Sequence, residues 1–304
     1  MATGLLLFTL GLCKKVLWAD SLAPFATAIF DGAQHGMAIG TLPTSYEAWC
    51  GALAYTLQIY FDFSGYTDMA LGVALMFNIR LPINFNSPYQ ATSIIEFWRR
   101  WHITLSTFLR DYLYIPLGGN RDGKLRRYLN LLATMLLGGL WHGAGWTFVV
   151  WGAMHGVCLA VNHLWRDWGA PRLLRWVPNW LGALTGGALT FIVVAAAWVV
   201  FRANDMAQAM TLLKAMFGIA ARPLTFDAAM HGQLLLLTEM SGRDLARLLV
   251  PALLWVWLLP NSARIRFIHG GLLRTLLQIT GVLGLLYLCI DQFGSYSPFL
   301  YFQF

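Results

Sequence analysis

Charge is what this 304-residue sequence has least of. Asp, Glu, Lys and Arg make up 12% of it, against roughly 25% in a soluble domain, while 58% of its residues are hydrophobic. A water-soluble globule could not cover its surface with so few charges. The composition also excludes a disordered chain and a collagen-like repeat. Only four cysteines occur (Cys13, Cys50, Cys158 and Cys289), each alone in an apolar stretch and none in a CxxC pair. They read as small buried hydrophobes, not as a disulfide frame or a zinc site. No P-loop, GxGxxG, GxSxG or HExxH is present, which removes the commonest soluble chemistries. His102, His142 and His155 lack Cys or carboxylate companions at zinc spacing, so no metal is expected. The formal net charge of +7 does not indicate nucleic acid, because Trp, Leu and Tyr interrupt the basic residues. In a membrane protein such charge orients loops and meets anionic headgroups. What remains is an all-α, polytopic membrane protein, with the lipid bilayer as its first partner.

A membrane-crossing helix needs about 20 apolar residues. The stretch from Trp176 to Phe201 holds no Asp, Glu, Lys or Arg and is bracketed by Arg175 and Arg202. A second charge-free stretch, Tyr128 to Trp165, is interrupted by Gly143-Ala144-Gly145 and predicts two helices meeting at a kink. Further candidates are Glu47–Phe63, Met69–Leu81, Leu248–Leu259 (short unless it extends through Arg247) and Gly271–Ile290. Trp176, Trp180, Trp255, Trp257, Tyr296 and Tyr301 lie near run ends, where interfacial aromatics belong. Gly4–Cys13 is apolar but too short to span before Lys14-Lys15, and it reads as the tail of a helix whose beginning is absent. From Asn84 to Arg127 the chain carries seven of its 21 Lys and Arg, mixed with Phe97, Trp98, Trp101, Phe108, Tyr112 and Tyr114. That mixture predicts an interfacial or re-entrant helix at about residues 92–115.

Polar groups inside apolar runs are expensive in a bilayer and face the bundle interior or a wet cavity. Three clusters qualify. In Tyr60–Met69, Asp62 and Asp68 flank Ser64-Gly65; at i, i+6 they do not share a helix face, and bonding a neighbouring helix or capping a break at Gly65 is favoured over an acid/base pair. In Glu96–Asp111, a continuous helix would align Arg99, His102, Ser106 and Arg110 in one polar stripe, able either to hold an anionic substrate or to meet headgroups. In Leu140–Trp146, His142 ends a charge-free run at the glycine break. A neutral imidazole there suits proton transfer, and the alternative is a bond to a helix carbonyl. His155 and Asn162 share a face and read as helix–helix hydrogen-bonding residues. His35, His163, His231 and His269 read as loop or interface residues.

The blocks YFDFSGYTDMALG (Tyr60–Gly72), NFNSPY (Asn84–Tyr89), EFWRRWHITLSTFLRDYLYIPLGGNR (Glu96–Arg121), LLGGLWHGAGWTFVVWGAMHG (Leu136–Gly156) and SPFLYFQF (Ser297–Phe304) resemble the membrane-bound O-acyltransferase family, in its alginate O-acetyltransferase branch. The family's WHG histidine falls on His142 and its RWH histidine on His102. The resemblance implies a single membrane-embedded domain over residues 1–304, with a motif core at 47–165, carboxy-terminal helices at 176–304 and fewer amino-terminal helices than the family carries. It implies a bundle around a central tunnel. It also implies acetyl transfer from a cytosolic thioester, acetyl-coenzyme A or another, toward hydroxyls of an exported polysaccharide such as alginate. His142 would then be the base, with His102 orienting or supporting the oxyanion, and Arg99, Ser106, Asp62 and Trp141 binding substrate or supporting the oxyanion. No bound cofactor is expected. Polysaccharide export proteins and an extracytoplasmic acetyltransferase would be partners in the bacterial inner membrane. The competing readings are a proton-coupled transporter or channel using His142 and His102, and a non-catalytic scaffold of an export complex.

Overall fold

The computed structural model describes residues 1–40, 42–169, 177–222, 242–265, 272–292 and 299–300, and all regular structure among them is helical. Trp176, His231, His269, Tyr296 and Tyr301 lie outside the described residues. Three described helices are long and apolar enough to cross a membrane: Ala2–Ala38, Trp146–Gly169 and Asn179–Arg202.

Helix α1 (Ala2–Ala38) corrects the expectation that the first apolar run stops at Lys14-Lys15. The helix continues through both lysines in a π-helical stretch, Lys14–Ala19. It can do so because both charges are answered inside the fold, where the lysines are only 1% and 5% exposed. Lys14 Nζ lies 2.6 Å from Asp68 Oδ2 and donates to Ser262 Oγ at 2.9 Å. Lys15 Nζ lies 2.8 Å from Asp62 Oδ1 and 2.7 Å from Asp20 Oδ1.

Asp20 belongs to α1 itself, and the carboxylates of Asp62 and Asp68 come from α2 (Ser45–Met76), which begins at a capping box. Glu47 N donates to Thr44 Oγ1, and Thr44 N donates back to Glu47 Oε2, so two orphan amides of the first turn are met. The two expected runs, Glu47–Phe63 and Met69–Leu81, are largely one 32-residue helix ending at Met76, and Gly65 breaks nothing. Gly65 is there for contact. A Cβ on it would come 2.7 Å from the Gly11 carbonyl oxygen, and one on Gly72 would come 2.6 Å from that of Gly4. The pairs Gly11–Gly65 and Gly4–Gly72 step in opposite directions along the chain, so α1 and α2 run antiparallel with their backbones nearly touching. Small residues permit this approach in membrane helices.

A second correction concerns residues 92–115. They form α3 (Ile94–Arg100) and α4 (Ile103–Leu109), followed by a π-helical turn, Arg110–Tyr114, and not one helix. The break is set by Trp101 in an extended conformation and His102 in the left-handed region at φ 42°. The segment before α3 holds it in place, since Asn86 N donates to Arg100 O and Ile103 N donates to Asn84 O, both at 2.9 Å. The break takes His102 out of the polar stripe expected from a continuous helix, while Arg99, Ser106 and Arg110 still line one cavity.

Helices α5 (Gly123–His142) and α6 (Trp146–Leu164) part at the Gly143–Gly145 kink, as the charge-free run predicts. They are followed by α7 (Asn179–Arg202), α8 (Met206–Met216), α9 (Gly242–Leu258) and α10 (Leu272–Asp291). The short run at Leu248–Leu259 is completed toward its start by residues through Arg247. Helix α2 packs against α1, α7, α8 and α9, and α5 packs along α6.

Two outcomes follow for the α1–α2 crossing. Removing one charge, as in Asp68→Leu or Lys14→Met, leaves the other buried and should cost about 3–5 kcal/mol; the Lys14→Met/Asp68→Leu pair should recover most of that loss in thermal unfolding of the detergent-solubilised protein. Gly65→Leu should separate α1 from α2 and lower the melting temperature, with overpacking worth about 1–3 kcal/mol, whereas Gly182→Ala on α7, with open space around it, should be milder in the same assay.

Candidate active site

His102 and His142 come from different motifs and different helices, yet they line one cavity. His102 sits at the α3–α4 break and His142 is the last residue of α5. Ile59, Phe63, Trp98, Trp101, Leu105, Trp151, Trp198, Phe201 and Leu300 complete the wall. Its volume of about 30 Å³ accommodates one or two water molecules, since one needs about 10–15 Å³ on the same measure.

The His102 ring is fixed by Asn84. Thr104 N and Thr104 Oγ1 both donate to Asn84 Oδ1, at 3.1 and 2.9 Å, and His102 Nδ1 lies 3.2 Å from the same oxygen. A backbone N–H can only donate, so that Asn84 atom is the carbonyl oxygen and Nδ1 of a neutral ring must carry the hydrogen. The lone pair is then on Nε2. Phe63 meets the imidazole edge-on with centroids 4.8 Å apart. His142 is held differently. Its ring stands perpendicular to Trp151 at 5.3 Å and edge-on to Phe201 at 5.1 Å, and no hydrogen bond engages it among the described residues. The alternative of a histidine bonded to a helix carbonyl is not what the structure shows.

The other anticipated residues are distributed around this cavity. Arg99 and Ser106 line a separate cavity of about 470 Å³, together with Arg110, Thr134 and His163. Trp98 borders both cavities. Asp62 is buried in its ion pair with Lys15 and accepts a hydrogen bond from Leu300 N at 2.9 Å, so it reaches the wall of the histidine cavity through the backbone of Leu300. Both aspartates bond a neighbouring helix, the favoured reading, and neither caps a break. Trp141 is 56% exposed, and its ring flanks His142 at 4.9 Å from outside the cavity lining. His155 bonds across to another helix as anticipated, with Trp98 Nε1 donating to its Nδ1 at 3.3 Å.

Sequence reasoning missed Asn84 as the group that orients His102, the aromatic wall supplied by Trp151, Trp198 and Phe201, and Leu300 as a wall residue. Asn84 alone left a trace, as a polar residue at the head of the NFNSPY block two positions before Asn86.

The family model of MBOAT, the membrane-bound O-acyltransferase family, matches residues 1–199. The chain is 48% identical over 225 residues to the peptidoglycan O-acetyltransferase of Helicobacter pylori, covering 72% of this chain and 39% of that protein. It is 52% identical over 219 residues to the "Probable alginate O-acetylase AlgI" of Azotobacter vinelandii, covering 71% and 40%. The protein of the same name from Pseudomonas putida is 40% identical over 320 residues, covering 98% of this chain and 60% of the relative. The chain thus spans between about two fifths and three fifths of the length of these relatives. With the family model covering both histidine motifs and more than half of the sequence, the chain belongs to the membrane-bound O-acyltransferase family and is a membrane protein.

Proposed function

We propose that this chain carries the transfer centre of a bacterial inner-membrane O-acetyltransferase. It moves acetyl from acetyl-coenzyme A, or another acyl thioester, toward hydroxyls of an exported polysaccharide such as alginate. Export proteins and an extracytoplasmic acetyltransferase are its partners. One observation carries the reading: the histidines of two distant motifs line a single small cavity with an aromatic wall. Transfer to oxygen needs a base for the hydroxyl proton, a contribution of about 10²–10⁴-fold in rate. It also needs exclusion of water that would hydrolyse the thioester. In this reading His142, which no described group hydrogen-bonds, is the base, and His102, held in one tautomer by Asn84, orients the reactants with its Nε2 lone pair.

The larger cavity supports a route for the donor. Arg99 and Arg110 give it a cationic lining, and Ser106, Thr134 and His163 add polar groups, a suitable set for the polar carrier of a thioester. The central tunnel is then the two cavities joined past Trp98. Asp62 acts on the site by holding Leu300, and Trp141 borders His142 on the exposed side, where an acceptor would arrive.

In this reading His142→Gln lowers polymer acetylation at least about 10²-fold at unchanged membrane abundance, measured as acetyl ester on exported polymer. Near-normal acetylation would remove the base assignment, and proton-coupled flux in vesicles without any acyl donor would replace it with a transport function. Asn84→Leu should lower the rate about as much as His102→Ala. The double variant should be little worse than either alone, because the two residues act as one unit.

A further inference from the structure

Three buried N–H groups beside the histidine cavity lack an acceptor among the described residues: Trp198 Nε1–H on α7, and two that stand together on α6. Trp151, on α6, is 2% exposed and lines the cavity. Its Nε1–H has no hydrogen-bond partner among the described residues. His155, four residues on and therefore on the same face of the helix, is 1% exposed. Its Nδ1 receives the Nε1–H of Trp98 at 3.3 Å. An indole nitrogen can only donate, so Nδ1 holds the lone pair and the neutral ring carries its hydrogen on Nε2. That Nε2–H also has no partner among the described residues. The two rings meet edge to face, with centroids 4.9 Å apart.

A buried donor without an acceptor destabilises a fold, and a phenyl ring at either position would pack without that penalty. Two such donors on one helix face, with Trp151 bordering the cavity, fit an acceptor that arrives with the substrate. His142 is perpendicular to Trp151 at 5.3 Å between centroids, so the donor and the proposed base border the same cavity.

We propose that Trp151 Nε1–H, with His155 Nε2–H behind it, donates to the oxyanion formed during acyl transfer. This rests on the acyl-transfer reading above and adds the catalytic donors it lacks. The acceptor hydroxyl oxygen bonds to the thioester carbonyl carbon while His142 takes the hydroxyl proton. The carbonyl π pair moves onto oxygen and creates the negative charge. That pair then returns to re-form the carbonyl as the carbon–sulfur bond breaks, and the imidazolium proton passes to the departing sulfur. The charge exists only between those two events, so donors aimed at it accelerate the chemical step without tightening donor binding.

The test replaces Trp151 with Phe and, separately, with benzothienylalanine, which keeps the bicyclic shape and carries sulfur in place of the N–H. Transfer from acetyl-coenzyme A is followed in membranes holding equal amounts of each protein. The expected result is a fall in kcat of about 10²-fold for both variants, with KM within about threefold of wild type. His155→Phe should fall less, and combining it with either Trp151 variant should cost less than the product of the two. A benzothienylalanine protein whose kcat stays within about threefold of wild type, while His142→Gln is inactive, overturns the proposal. So does a loss confined to KM. If instead His142→Gln retains wild-type turnover, it is the acyl-transfer reading that fails.

Discussion

Taking an ammonium and a carboxylate out of water costs several kcal/mol for each ion, repaid only when the partners meet at close range with their remaining hydrogen bonds satisfied. The crossing of α1 and α2 meets that condition twice within two consecutive residues. Lys14 reaches Asp68 and Ser262, and Lys15 reaches Asp62 and Asp20. Such proximity requires the helix backbones to approach closely, which the facing glycines at 4, 11, 65 and 72 allow. Much else follows from the placement of α2. It offers Ile59 and Phe63 to the histidine cavity, and Tyr89 OH donates to its Thr56 carbonyl at 2.6 Å, fixing the segment that leads into α3.

The site itself is built by contrast between two kinds of histidine surroundings. His102 is gripped by polar groups at a strained backbone position, φ 42°, a conformation that persists only when its neighbours over-determine it. Here the neighbours are the backbone pairs at Asn84 and Asn86 and the Asn84 side chain. His142 is positioned by aromatic edges alone. Rings restrict where the imidazole can lie but leave its nitrogens to the substrate. One histidine is thus oriented at the expense of its freedom, and the other keeps its hydrogen-bonding capacity.

Local features were readable where a local cause sets them. The Gly143–Gly145 kink follows from glycines between two charge-free runs. The two histidines stand out because polar residues in apolar surroundings are costly. The misreadings share a different origin. Lys14 and Lys15 resemble a helix end only while their counter-charges, at Asp62 and Asp68, are unknown. Gly65 resembles a breaker only while the carbonyl of Gly11 opposite is unknown. The Arg99–His102–Ser106–Arg110 spacing implies one stripe only if the helix is continuous, and it is interrupted by bonds to Asn84 and Asn86, which lie some fifteen residues earlier. The orphan donors of Trp151 and His155 are legible only in three dimensions, because one hydrogen bond from Trp98 decides where the His155 proton resides.

Leu300 places a time constraint on the site. It forms part of the wall beside His102 and His142, and its amide is tied to Asp62, while the ring of Phe299 lies over the Lys15 ammonium at 4.8 Å. Residues far apart in sequence, from Ile59 to Leu300, therefore close the same cavity. During synthesis, at about 5–20 residues per second, both histidines are made well before the ribosome reaches Leu300. Until Leu300 is made and bonded to Asp62, the cavity lacks that part of its wall.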